Sequence, residues 1–180
     1  MNIETRGLIL RGLGLKDASF LVELVNDPET REVMGAYDLV FPVSVDSEEK
    51  WISKVSERTD EAHMIITTRK GGRAIGILSL KDMSNKNASA HLSIILERKS
   101  WDKGLGTEAV TGVLDFLFSR KNTHRVWLRV DRRNARAIRC YEKCRFSMDG
   151  VLREDHFAAG AWQDSLIMSI LADEFRRRSR

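Results

Sequence analysis

The stretch from Ala88 to Arg120 constrains this chain more than any other. It opens with an apolar run of strand length, His91-Leu92-Ser93-Ile94-Ile95-Leu96. It closes with Val110, Val113, Leu114 and Leu117 at i, i+3, i+4 and i+7, which places four apolar side chains on one face of a helix. Between the two, Gly104 and Gly106 stand where the helix would begin. Strand, glycine turn and helix N-terminus together can build an anion site from backbone alone. The first N–H groups of a helix have no intrahelical partner, and the helix dipole adds positive charge there. Glycine removes the Cβ that would keep a phosphate at a distance. The same residues also serve ordinary tight connections, so the turn by itself leaves structure and function level. Two phosphate-binding classes are excluded: the chain has neither Gly-x-x-x-x-Gly-Lys-Ser/Thr nor Gly-x-Gly-x-x-Gly.

The surrounding sequence predicts an α+β domain. Leu8-Ile9-Leu10-Arg11 reads as a first strand, and Asp17 as the cap of a helix with Ala18, Leu21, Val22 and Val25 on one face. A short helix over 29–34 and a loop over 35–43 follow, then a helix capped from Ser44 to Ser47 and carrying Trp51, Ile52 and Val55. Met64 to Thr68 and Ala74 to Leu80 flank Gly71-Gly72, a hairpin signal. His124 to Val130 alternates as a strand, and Asn134 can cap a helix from Ala135 to about Cys144. Val151 to Phe157 and Trp162 to Leu171 form a second hairpin about Ala158-Ala159-Gly160. An antiparallel meander followed by strand, glycine loop and helix is not a doubly wound sheet. No repeat or linker divides the chain.

At 180 residues the chain suits one domain, able to bury roughly 70% of its unfolded surface. Its hydrophobic and charged fractions, 42% and 31%, are those of a globular protein, and no apolar run approaches the ~20 residues of a membrane span. Met1 to Arg6 has no signal-peptide core, which predicts a cytoplasmic location. Cys140 and Cys144 make at most half a structural zinc site, so core or surface thiols are expected and no metal. The net charge of +4 conceals an asymmetry: 27–61 holds ten acidic and four basic residues, while 120–145 holds ten basic and two acidic. Two solvated faces explain this, and so do an anionic ligand near the second segment and a cationic one near the first. The basic tail, Arg176 to Arg180, raises nucleic acid as a second class of partner. No aromatic stacking platform accompanies it, and the acidic 27–61 segment argues against it.

The run Trp101-Asp102-Lys103-Gly104-Leu105-Gly106-Thr107-Glu108-Ala109 resembles the acetyl-CoA loop of the GNAT N-acetyltransferases. It is similar in particular to the Rim-type branch, which acetylates ribosomal-protein and related N-termini and commonly writes Trp-Gly-Lys-Gly-x-x-Thr-Glu-Ala. Asp102 departs from that pattern, and Trp101 stands where the wider family has Arg or Gln. Asn134, Ala137, Tyr141 and Phe146 match a second family pattern, Asn-x-x-Ala-x-x-x-Tyr-x-x-x-Gly-Phe, with Arg145 in place of its glycine. That departure questions the local turn, because a left-handed position costs a bulky residue ~1 kcal/mol or more. Gly150-x-x-Arg153-Glu154 and Gly160-x-Trp162-x-Asp164 also resemble the Rim-type C-terminal hairpin.

The resemblance implies a single domain over 1–180: an acceptor-side part to 87, an acetyl-CoA core over 88–146, a hairpin over 147–172 and a basic tail. It implies a mostly antiparallel mixed sheet of about seven strands, splayed at the cofactor, with about four flanking helices. Acetyl-CoA would lie with its pantetheine along the backbone of Ile94, Ile95 and Leu96. Its pyrophosphate would meet the N–H groups of Lys103, Gly104, Leu105, Gly106 and Thr107, and Asn134 would hydrogen-bond the pantetheine. The reaction, amine attack on a thioester, needs a base for the ammonium, donors for the oxyanion and an acid for the thiolate. By resemblance Tyr141 is the acid, a phenol that stays protonated at neutral pH, although its ring could equally pack with Ile138. His91, where relatives carry glutamate, is the candidate base; a strand histidine with only a hydrogen-bonding role, or a water relay to a distant carboxylate, remains open. The acceptor would be a peptide N-terminal amine, or alternatively a polyamine or cationic antibiotic. Tyr37, Phe41 and Trp51 would line its entrance or pack as a lid. A non-catalytic acetyl-CoA sensor is the third class, which a retained Tyr141 argues against. Edge strands and apolar C-terminal segments are compatible with a homodimer.

Overall fold

The computed structural model describes residues 2–34, 42–84, 86–158 and 160–177. In chain order the elements are β1 (Ile3–Glu4), β2 (Leu8–Gly12), α1 (Ala18–Asn26), α2 (Pro28–Met34), α3 (Val45–Ser56), β3 (Ala62–Thr68) and β4 (Ala74–Ser84). They continue with β5 (Ser89–Leu96), α4 (Leu105–Arg120), β6 (Arg125–Asp131), α5 (Ala135–Lys143), β7 (Ser147–Ala158), β8 (Ala161–Leu171) and α6 (Ala172–Arg176). Single 3-10 turns at Leu15–Asp17 and Arg98–Ser100 join them. All eight strands form one sheet in the order β1-β2-β3-β4-β5-β6-β8-β7. Every pairing is antiparallel except β5 with β6. The α+β expectation therefore holds; the added strand, β1, is two residues long and too short to alternate.

Strand alternation sends neighbouring side chains to opposite faces, and each face has its own core. On one, Val110, Val113, Leu114 and Leu117 of α4 bury against Leu8, Leu10, Ile66, Leu78, Leu92, Val126 and Leu128. The four positions expected from helical spacing are all buried there, and Leu114 has no exposed surface, so Leu114→Ala would cost ~2–5 kcal/mol. Tyr141, Cys144 and Phe146 extend this core beneath α5. On the other face Ala18, Leu21 and Leu24 of α1 and Ile52 of α3 cover Ile65 and Ile77. Leu24 takes the buried place expected of Val22, because the stripe follows i, i+3 and i+6 from Ala18. Glycine is required behind β5: a Cβ on Gly76 would lie 2.3 Å from the Ile95 carbonyl oxygen.

Caps hold as expected at two helices. Ser44 Oγ accepts from the Ser47 N–H and Asn134 Oδ1 from the Ala137 N–H. Asp17 is a correction. It begins α1 without a side-chain cap, because its carboxylate is taken by Arg11 Nη2 and Nη1 at 2.6 and 2.8 Å and by the Gly14 N–H at 3.0 Å. The basic tail also starts as structure: Arg176 ends α6 and donates to the Phe118 carbonyl at 3.3 Å.

The two departures from family glycine explain themselves. Asp102 has φ 56° and Arg145 φ 72°, both in the left-handed region. The turns keep the shape glycine would give, and the chain carries the strain instead. Among the described residues no helix is long and apolar enough to cross a bilayer.

Candidate active site

Strands β5 and β6 begin as a parallel pair and then part. Their ladder joins Ser89 to Arg125, Ala90 to Val126 and His91 to Trp127, and goes no further. From Leu128 to Asp131, β6 pairs with β8 alone, while Ile94, Ile95 and Leu96 pair with β4 alone. The backbone edge of Ile94–Leu96 thus opens into a cavity of about 910 Å³.

The glycine loop closes one end of that opening. Gly104, with φ 77°, turns the chain into α4. Gly104, Leu105, Gly106 and Thr107 line the cavity. A Cβ on Gly106 would lie 3.3 Å from Cys140 Sγ and 3.5 Å from Leu96 Cδ1, so a side chain larger than alanine would fill the cradle. Lys103 is exposed and does not line the cavity, unlike the other residues expected at the cofactor. Trp101 takes over an anchoring task. Its indole donates to the Leu96 carbonyl at 2.8 Å, and the Arg136 guanidinium stacks 3.5 Å from its ring centroid. A cation from α5 is thereby held at the mouth of the loop, where the family motif would have placed its own arginine. Arg139 and Lys143 line the same wall. Among the described residues Arg136, Arg139 and Lys143 have no carboxylate partner.

Helix α5 also brings Asn134, Cys140 and Tyr141 to the cavity. Asn134 Oδ1 is committed to its cap, which leaves the amide NH₂ to face a ligand. Tyr141 is 6% exposed and tilts against Phe146, ring centroids 5.8 Å apart. Burial, and then the neighbouring thiols of Cys140 and Cys144, push its phenol above the ordinary range, so it holds its proton. Cys144 is core, whereas Cys140 is half-buried in the cavity wall. The Cys144 thiol, opposed by burial and helped by Thr107 and Lys143, brings Cys140 down to about 7. Glu108 of the loop motif faces elsewhere: it accepts from Thr5 Oγ1 at 2.6 Å and the Gly7 N–H at 2.5 Å, pinning α4 to the turn before β2.

The rest of the cavity lies over the sheet face beneath α1 and α3. Register places His63, Ser79 and Ser93 in one row across β3, β4 and β5, with Lys81 and His91 in the next. His91 packs on Trp127 with ring centroids 4.4 Å apart. Burial lowers its pKa, with Lys81 and Arg129 lowering it further against Asp82, which favours the neutral imidazole. His63 is held from both sides, by Ser79 Oγ at 2.8 Å on Nδ1 and Glu61 Oε2 at 3.0 Å on Nε2, with Trp51 edge-on at 5.2 Å. Glu48 and Asp82 also line this side. Beyond β6, His156 Nε2 meets Asp131 Oδ2 at 3.1 Å and Arg129 reaches Asp155 at 3.2 Å.

The structure therefore gathers His91, Ile94, Ile95, Leu96, Gly104, Leu105, Gly106, Thr107, Asn134 and Tyr141 around one cavity. Trp51 joins them, while Tyr37 and Phe41 lie outside the described residues. Sequence reasoning missed Arg136, His63, Ser79 and Glu48. Spacing could have flagged the last: Trp51, Ile52 and Val55 follow it at i+3, i+4 and i+7, so a carboxylate stands on an apolar helix face.

This cavity fits acetyl-CoA on its own geometry. An open strand edge suits an amide-bearing arm, a helix N-terminus at a glycine cradle suits a pyrophosphate, and three unpaired cations stand beside it. Among the described residues no group of three or more His, Cys, Asp or Glu could hold a metal ion.

Comparison with known proteins agrees. Residues 7–147 match the family described as acetyltransferase (GNAT) domain. A probable N-acetyltransferase of Bacillus subtilis, YjcK, is 31% identical over 176 residues, covering 94% of this chain and 96% of its own. The crystal structure of spermidine N-acetyltransferase from Vibrio cholerae with CoA and spermine is 27% identical, covers 94% of this chain and 98% of its own, and superposes with a TM-score of 0.85. A dodecameric structure of the Vibrio cholerae enzyme is 29% identical over 96% of this chain and 98% of its own, TM-score 0.81. These likenesses correct the Rim-type expectation: the similar proteins that carry a substrate in their names include spermidine N-acetyltransferases. The chain belongs to the GNAT acetyltransferase family and is an acetyl-CoA-dependent N-acetyltransferase.

Proposed function

We propose that the acceptor is a small polyamine of the spermidine type, acetylated by direct attack in a ternary complex. One observation carries this reading: a single cavity runs from unpaired cations on α5 to carboxylates under α3 and on β4, Glu48 and Asp82. The cationic end suits phosphates and the anionic end suits an ammonium. The spermine-bound Vibrio cholerae structure supports it.

Bound acetyl-CoA supplies the acetyl thioester. The backbone of Ile94–Leu96, the N–H groups of Leu105, Gly106 and Thr107 and the side chains of Asn134, Arg136, Arg139 and Lys143 hold and orient the cofactor. Tyr141 keeps its proton until the sulfur departs, because burial disfavours the phenolate. His91, neutral and on the acceptor face, takes the proton of the attacking amine. Self-association belongs to the same proposal: Phe157 and Trp162, 53% and 60% exposed, stand on the hairpin at the free sheet edge, and a Vibrio cholerae relative is dodecameric.

The test is thiol release from acetyl-CoA with spermidine and, separately, with a short peptide bearing a free N-terminus. Spermidine is expected to be the better acceptor in kcat/KM by about 100-fold or more. Preference for the peptide, or no release with spermidine, would contradict the proposal.

A further inference from the structure

Among the described residues, Glu48 is the buried polar residue of this cavity whose side chain finds no partner in the fold. It lies in the first turns of α3 and is 9% exposed. The other buried polar side chains nearby are engaged: Asp17 by Arg11, Thr30 by Asp27, His63 by Ser79 and Glu61. Among the described residues no donor and no cation meets the Glu48 carboxylate, which instead lines the cavity with Leu21, Val25, Val43 and Trp51. Burial pushes its carboxyl above the usual carboxylate range. A carboxylate on a mostly buried residue, facing the cavity without a partner, adds less to folding than an apolar side chain would, and α3 would bury its apolar face better without it. What the fold leaves unsatisfied, a ligand can satisfy.

The position says which ligand. Trp51 and Ile52 place α3 over His63 on β3 and over Ile65 and Ile77. The cofactor opening is at the far edge of β5. From β5 to β3 is two strand spacings, roughly 10 Å. A chain of several methylenes between two ammonium groups bridges that distance; an amine with one nitrogen does not. Trp51, at the same end, offers an aromatic surface to an alkylammonium.

We propose that Glu48 binds the second, non-reacting ammonium of the acceptor and so selects polyamines over monoamines, an inference that rests on the polyamine reading above. The ion pair forms only with substrate in place, which explains a carboxylate kept on an apolar face.

The experiment compares wild type with Glu48→Gln, which keeps the shape and removes the charge. The ratio of kcat/KM for spermidine over butylamine is expected to fall by about tenfold or more in the variant, chiefly through KM for spermidine. Calorimetric affinity of the CoA-saturated protein for spermidine should fall by a similar factor. The melting temperature of the variant should be no lower than that of wild type, because an unpaired buried charge has been removed. An unchanged ratio and unchanged spermidine affinity, with spermidine still acetylated, would overturn the role of Glu48 alone. If wild type acetylates no polyamine, the polyamine reading falls and this inference with it.

Discussion

The two ends of the cavity are built by different means. The end proposed for the cofactor is mostly backbone: a strand edge released at Ile94–Leu96 and N–H groups at the start of α4, with Gly106 leaving the space. The acceptor end is mostly side chains, contributed by α3, β3, β4, β5 and β6. A backbone site depends on a few consecutive residues and tolerates change around them. A side-chain site depends on residues far apart in sequence and can be re-specified one position at a time.

The largest expected effect lies where the two ends meet. Tyr141→Phe should lower turnover by about 100-fold with acetyl-CoA affinity retained, since only the proton on sulfur is lost. Unchanged turnover in a steady-state assay would remove Tyr141 from the chemistry. His91 gives the matching pH signature. Because burial lowers its pKa, the acid limb of kcat/KM should lie below the usual imidazole range, and His91→Ala should abolish that limb. A limb that stays where it was would assign the base elsewhere.

The acceptor layer has its own weak point. Asp17, 3% exposed, ties α1 to β2 through Arg11. Burial raises its pKa, but the Arg11 guanidinium and the Gly14 N–H outweigh that and hold the carboxyl below the usual range. A depressed carboxylate contributes stability above its unfolded pKa, which is lost as pH falls through the folded one. Asp17→Asn should therefore cost about 2 kcal/mol at pH 7 and progressively less as the wild type is acidified. Chemical denaturation at pH 7 and below pH 4 would read this, and an equal loss at both would break the ion-pair account.

The fold was largely legible because its signals are local. Helical spacing found the buried face of α4, Gly71-Gly72 found the first hairpin, and the Asn134 cap needs only three residues. The glycine turn into α4 was legible for the same reason. Arg136 was not: it reaches the loop by stacking on Trp101, and nothing in either residue alone announces the pair. His63 and Ser79 become neighbours only through the β3–β4 register. Trp101, Asp102 and Arg145 looked like departures that put the site in doubt. In three dimensions Trp101 positions a cation, and the other two keep the glycine conformation.

That last point gives the smallest effect. Arg145→Gly should stabilise the protein by about 1 kcal/mol, since φ 72° strains a side-chain-bearing residue. The gain is reduced by the greater freedom of glycine in the unfolded chain and by the lost contact to the Glu174 carbonyl. A thermal melt in which the variant is less stable would mean the contact outweighs the strain.

The most direct test of a backbone-built cofactor end is calorimetric titration of acetyl-CoA into wild type and Gly106→Val. A valine side chain would occupy the space between Leu96 and Cys140 without removing any charge. Binding of one acetyl-CoA per chain by wild type, and its loss in a variant that melts as a folded protein, is the predicted result. Equal affinity in the two would contradict it, and would place the cofactor away from the start of α4.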